Sequence, residues 1–534
     1  MRARLTVIPL ALLLSAASVP PEDAAADRVR GHVQFLASDE LEGRDTGSRG
    51  YAVAAQYVAA QFTGLGLKPG GTGGGWYLQV PFRRASHSSP PQVRVRVGNR
   101  TTTLAPGVDV ALQPSLLEQS RSIDAPLVFV GYGLNEPALG LDDYAGLDVR
   151  GKIVVAFSGS PAGLPTDVRA HLDGSKPEAA ASRGAIGLVE ITADRTGAPE
   201  RFGSMGRPRV DWTDASGKTG ATSLLRARLA LTAKATEILF QGARTPLAKL
   251  RAQARLRRPM RGFALPARLA INAQSSWQDF TSPEVIGLLP GSDPRLAGEY
   301  VVLMGHLDHL GVKEGAKPGE DAVYNGALDN AAGIATMIEA AREFVESGKR
   351  PRRSILFIAN TGEEKGLLGA DYFASHPTVP IKQIVGAVDL DMPLLTYDFT
   401  DVVAFGAANS TVARTVASAA RRMGIAVSAD PMPEQSIFVR SDHYQFVRRG
   451  VPAILLFTGY ANGGKARWDH FFAKVYHRVN DDISQPINWK AGARYAKLNY
   501  EIARALADAD ARPRWYRGDY FGDRFAPGQP RAER

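Results

Sequence analysis

Apolar and polar positions follow two different periods along this chain, and the change between them marks its organisation. Residues 28 to 65 place Val33, Phe35, Leu36, Leu41, Ala54, Tyr57, Val58, Phe62 and Leu65 at helical spacing, so this stretch is expected to be helical. Gly70 to Gly75 is a glycine-rich break, and residues 91 to 113 alternate apolar with polar as short strands do. From about Ser122 the texture changes. Strands are expected from Ala125 into the turn at Gly131–Gly133, from Gly151 to Phe157, from Gly184 to Ile191 and from Gly262 to Ile271. Helices are expected near 176–182 and over 233–256.

After Ser276 near-continuous apolar runs alternate with helical patterns. Glu299–Gly305, Arg353–Asn360, Ile384–Met392 and Ala453–Phe457 are the runs; Asn330–Phe344 and Tyr495–Ala507 are the helices. Strands apolar on both faces and separated by helices belong to a helix-covered, mainly parallel sheet. The expected fold class is α/β, a mixed sheet with a mainly parallel core and a β-rich inserted unit. Residues 511–534 are polar, bear Pro and Gly, and are expected to lie as a tail over the surface.

Composition narrows the chemistry. The 534 residues imply two or three domains and a core large enough to need no covalent staple. There is no cysteine, so disulfides, thiolate metal sites and a lipid-bearing cysteine are excluded, and any metal must be held by His, Asp or Glu. Arg2 and Arg4, the apolar run Leu5–Leu14 and the small residues Ser15–Ala17 fit a secretory leader over residues 1–17. An exported protein, periplasmic or secreted and without stable membrane insertion, is therefore expected. Residues 201–268 carry 15 Lys and Arg against 3 Asp and Glu, a net +12, and the rest of the chain is about −2. No aromatics interleave with the basic cluster Arg251–Arg261. A solvated face is favoured over a polymer-binding patch, and no nucleic-acid partner is expected.

Five short features, each at or after the end of an expected strand, carry the candidate chemistry. In Gly305-His306-Leu307-Asp308-His309, a His could bind metal while an Asp two residues on fixes its tautomer. Asp329, in Asn325–Gly333, could bridge two cations about 3.5–4 Å apart, although alone it reads as a helix cap. Glu363-Glu364 point in different directions. Asp389 and Asp391 share one strand face, and two buried acids there need a cation. The fifth feature is Tyr476-His477, followed by Asp481-Asp482. Each is weak alone; together they specify a hard-to-borderline metal site.

On these residues the chain resembles the co-catalytic di-zinc aminopeptidases, the secreted bacterial aminopeptidase type, a zinc-exopeptidase-like group related to glutamate carboxypeptidase, glutaminyl cyclases and the transferrin receptor. The resemblance runs through His306-Leu307-Asp308, Asp329–Gly333, Glu363-Glu364, Asp391-Met392, Ser441-Asp442-His443 and Tyr476-His477. It also takes in Leu36–Arg44 and Gly66–Pro69. Gly131–Gly133, Asp142–Gly146, Gly151–Val155 and Arg183–Ala185 are similar to a protease-associated domain. The implied organisation is a discontinuous zinc peptidase domain, 24–117 and 274–510, interrupted by a protease-associated domain over 118–273.

The resemblance implies two zinc ions per chain. His306 and Asp391 would hold one, Glu364 and His477 the other, and Asp329 would bridge them. Glu363 would be the general base and Asp308 an outer support. His309, His443 and His470 would not be ligands, with His470 the fallback for His477. Phe438 stands where some relatives place a tyrosine that bonds the oxyanion, leaving Arg440 or Tyr444 as substitutes. The implied activity is removal of N-terminal residues from peptides with a free N-terminus. The loops 305–310, 325–333, 360–366 and 389–394 contain Asp308, Asp329, Glu363, Glu364, Asp389 and Asp391 against only Lys365, a balance suited to an ammonium group. The competing readings are a carboxypeptidase, a glutaminyl cyclase and a non-catalytic binding protein.

Overall fold

The structure is a computed structural model that describes residues 21–194, 205–217, 219–220 and 224–534. The leader expected at 1–17 lies outside the described residues. A mixed sheet forms the centre of the molecule. Its core is four parallel strands, in spatial order Ser354–Asn360, Tyr300–His306, Ile384–Asp389 and Ala453–Thr458. Antiparallel strands flank them. On one side are the second half of Phe263–Leu289 and then Tyr77–His87; on the other is Asp401–Phe405. The core strands are buried apart from Tyr300 at the start of one, as in Ile355-Leu356-Phe357-Ile358-Ala359, because apolar side chains face helices rather than water. Pro21–Leu36, Ala332–Glu346 and Trp489–Asp508 pack against one another, and the last two reach the strand Tyr300–His306.

The helix expected over 28–65 is two helices, Pro21–Leu36 and Arg49–Gly64, separated by a short 3-10 segment Asp39–Arg44. Glu42, Gly43 and Arg44 all have positive φ there, which no α-helix continues through. Ser48 starts the second helix by accepting from the Tyr51 N–H.

A second sheet contains Arg100–Leu104, Gln92–Val97, the first half of Phe263–Leu289, Ser120–Phe129, Ile153–Phe157, Gly187–Ile191, Ala227–Leu231 and Val110–Leu112. One strand of 27 residues, Phe263–Leu289, thus runs through both sheets. A strand of the 118–273 segment, Arg209–Trp212, pairs back onto Phe82–Ala85 in the central sheet. The region 233–256 is two helices, Ala233–Leu239 and Leu247–Arg255. The C-terminal segment does not lie loosely on the surface. Trp515, Tyr516 and Phe521 are buried, and Trp515 Nε1 donates to Gly450 O at 3.0 Å.

Candidate functional site

Parallel strands deliver their C-terminal ends to one edge of the sheet, where open α/β sheets place their chemistry. His306 is the last residue of Tyr300–His306, Asn360 ends its neighbour just before Glu363-Glu364, and Asp391 follows Ile384–Asp389. These ends converge on Asp329, which lies in the irregular turn Ala327–Ala331 leading into Ala332–Glu346. Asn330 ties the turn in place. Its Oδ1 accepts from the Gly333 and Met392 N–H groups, and its Nδ2 donates to Leu390 O. Gly333 is required here, since an added Cβ would sit 2.0 Å from Leu390 O.

Asp329 is the centre of the cluster. Its Oδ1 lies 3.1 Å from His306 Nε2 and its Oδ2 3.3 Å from His477 Nε2. His306 Nε2 is also 3.0 Å from Asp391 Oδ1, and His477 Nε2 is 3.2 Å from Glu364 Oε2. The five expected ligands therefore form two halves that share Asp329. His309, expected outside the ligand set, joins the second half. Its Nδ1 donates to Glu364 Oε1 at 2.7 Å, and donor atoms of His309, Asp329 and Glu364 lie within 4.8 Å of one another. His443 is buried against Asp389, while His470 is exposed on the helix Gly464–Lys474.

Charge balance shows what the cluster lacks. Burial opposes the ionised form of Asp329, yet hydrogen bonding from His306 and His477 holds it well below its ordinary range. Burial also opposes ionisation of Glu364, but His309 and His477 bring it to about 2. Desolvation works against a protonated His477, and the same two carboxylates lift it to about 10. The acids thus draw positive charge onto imidazoles. His309 Nε2 is buried without a hydrogen-bond partner, and Asp329 Oδ2 faces only the His477 imidazole at 3.3 Å. Carboxylates and imidazoles converging with unused lone pairs fit a divalent cation such as zinc.

Glu363 differs from its neighbour. Burial pushes its pKa well above the usual carboxylate range; His306 pulls it down, while Asp391, Glu364 and Asp442 raise it further. Its place is set by its own N–H, which donates to Asp308 Oδ1 at 3.2 Å. Asp308 does not meet His306 through its carboxylate. Its backbone carbonyl accepts from His306 Nδ1 at 3.0 Å, fixing the tautomer, and the other carboxylate oxygen accepts from Thr46 Oγ1 at 2.8 Å.

Several supports escaped the sequence reading. Ser441 Oγ lies 2.7 Å from an oxygen of both Asp389 and Asp391. Asp481, noted only as part of an acidic pair, accepts the Leu328 and Asp329 N–H groups at 3.0 Å each. Thr46 and Arg44 come from the far N-terminal end. Ser441 and Arg44 had a sequence signal, in Ser441-Asp442-His443 and in Leu36–Arg44, but Thr46 had none. Tyr444 is turned away, with its hydroxyl 2.6 Å from His171 Nδ1, and so is not placed to donate to an oxyanion. Arg440 does line the open cleft beside the cluster, with Glu363, Met392, Ile437, Leu455, Phe457, Phe472 and Tyr476.

Residues 284–503 match the family described as Peptidase family M28. Among curated relatives, a vacuolar membrane protease of Lachancea thermotolerans is 29% identical over 114 residues, covering 21% of this chain and 10% of its own length. A probable zinc metalloprotease of Leptosphaeria maculans is 26% identical over 226 residues, 35% of this chain and half of its own. Among solved structures, an aminopeptidase from Aneurinibacillus sp. strain AM-1 aligns over 91% of this chain and 95% of its own, with a TM-score of 0.49 and 21% identity. These relatives correct one expectation. A periplasmic or secreted destination is not sustained, because relatives matched here are vacuolar membrane proteases. That expectation rested on a short apolar run, a receptor-read address independent of the fold's chemistry. Among the described residues no helix is long and apolar enough to cross a membrane.

Proposed function

We propose that this protein, whose residues 284–503 match Peptidase family M28, is a two-zinc aminopeptidase acting on peptides with a free N-terminus. The observation that carries this reading is the placement of the Asp329 carboxylate, one oxygen toward His306 and the other toward His477. His306 and Asp391 would hold one zinc, Glu364 and His477 the other, and Asp329 both. His309 would orient Glu364 from outside. When bound, zinc supplies Lewis-acid polarisation of the scissile carbonyl and eases deprotonation of water.

The protein's own groups do the rest. Glu363, half-buried at the cleft and with its proton affinity raised, takes the proton of the attacking water and passes it to the leaving amine. Asp308 fixes Glu363 through its N–H and His306 through the Asp308 carbonyl. The cleft wall of Met392, Ile437, Leu455, Phe457 and Phe472 suits an apolar first residue. The 118–273 segment is a protease-associated insert that supplies no catalytic group. Its contacts with the peptidase domain, such as His171 with Tyr444 and Glu178 with Arg448, support a role in shaping access.

The acid-rich surroundings favour an ammonium group, so a peptide amide with a free N-terminus should be cleaved and its N-acetylated form should not. Equal turnover of the two would sink the aminopeptidase reading. A carboxypeptidase is the second reading, favoured by Arg440. It lines the cleft, is exposed, and among the described residues has no carboxylate at ion-pair distance. That reading requires a free C-terminal carboxylate on the substrate and loss of activity in Arg440→Ala.

A further inference from the structure

The run Gly43-Arg44-Asp45-Thr46 meets the metal-bearing loops from the N-terminal end of the chain. Arg44 is only 1% exposed. Its guanidinium donates to four backbone carbonyls: Leu307 at 2.9 Å, Asn325 at 2.6 Å, Gly326 at 3.1 Å, and Leu36. Leu307 lies between His306 and Asp308, and Asn325-Gly326 opens the turn that carries Asp329. Among the described residues no carboxylate pairs with Arg44 directly. Its charge instead faces Asp481, Asp308, Asp329 and Glu364 at longer range.

Neighbours reinforce the arrangement. An added Cβ on Gly43 would lie 2.3 Å from Gly311 O, so only glycine lets the run approach this closely. Arg44 O accepts from the His309 N–H at 3.1 Å. Asp45 pairs with Lys365, next to Glu364, at 2.5 Å. Thr46 holds Asp308.

We propose that Arg44 is a positioning residue whose planar fork locks the loop bearing His306 and Asp308 against the turn bearing Asp329, and so sets the spacing between His306 and the carboxylate shared by the two halves of the metal centre. The inference rests on the two-zinc reading. A guanidinium presents five donors in fixed directions, whereas a lysine offers one compact charge. Charge alone therefore cannot replace it.

The test compares wild type with Arg44→Lys and Arg44→Met, at a temperature where all are folded. Zinc dissociation constants are read by competition with a chromophoric chelator, and hydrogen exchange is read at the amides of 325–333. Arg44→Lys should bind zinc about 10–100-fold more weakly, as other changes behind a ligand shell do. It should also exchange faster at 325–333, and regain turnover in excess zinc with little change in KM. Arg44→Met should be weaker still. Wild-type zinc affinity and exchange in Arg44→Lys, with only a lower Tm, would overturn the proposal and leave Arg44 a packing group. If the wild type itself binds fewer than two zinc ions, the two-zinc reading fails instead. Arg44 is then judged on exchange, where unchanged protection in Arg44→Lys overturns it.

Discussion

Glu363 and Glu364 are adjacent in sequence and opposite in surroundings. The first is half-buried, and desolvation with neighbouring acids raises its pKa, while the second is drawn down to about 2 by two imidazoles. Neighbouring carboxylates whose environments separate their proton affinities divide acid–base and ligand duties between them. Glu363→Gln is therefore expected to keep both metals and lose most turnover, about 10²–10⁴-fold, because an amide accepts no proton there. Glu364→Gln should lose metal, as should His477→Ala, while His309→Ala should keep two. Metal analysis beside initial rates checks all four, and metal loss in Glu363→Gln or His309→Ala would reassign the roles. The acids and imidazoles that cluster around Asp329 were legible as short motifs. Thr46 was not, nor were the contacts of Arg44 and Asp481, because these bonds span long sequence separations and no local pattern records which residues they join.

At the level of elements, the central strands were readable because burial on both faces leaves an unbroken apolar run, as in Ile355–Ala359. The break at Glu42–Arg44 was hidden, since helical spacing continues on both sides of three positive-φ residues. The 27-residue strand through both sheets was also hidden: its first half was read as a strand, but the polar stretch Gln274–Ser282 carries no core signal and nothing local tells it to continue. The turn before Ala332–Glu346 is the most demanding element, for the backbone must pass close to Leu390 O at Gly333. Gly333→Ala places a methyl 2.0 Å from that oxygen and 2.1 Å from Asn330 Oδ1. It should cost about 1–3 kcal/mol or more and also weaken metal binding, since Asn330 holds the Asp329 turn. Thermal unfolding with and without zinc reads both; a variant as stable and as tightly metal-bound as wild type would contradict this packing.

Across the whole molecule, the site draws on distant parts of one chain. The N-terminal run around Arg44, the central strands and the segment carrying His477 and Asp481 meet at one sheet edge. The inserted segment and the C-terminal segment join behind it. Arg209–Trp212 extends the central sheet, Trp212 Nε1 donates to Asp371 at 2.8 Å, and Tyr520 and Arg524 reach Glu136. None of these long-range pairings follows from local pattern, which is why the tail appeared loose in the sequence. All of this framework serves one geometric outcome, a carboxylate, Asp329, set between two imidazoles. The most direct test is the zinc content of purified protein, titrated from the metal-free state while activity is followed. Two zinc ions per chain, both needed for full turnover and both weakened in Asp329→Asn, is the predicted result. A single tightly bound zinc supporting full activity would contradict it.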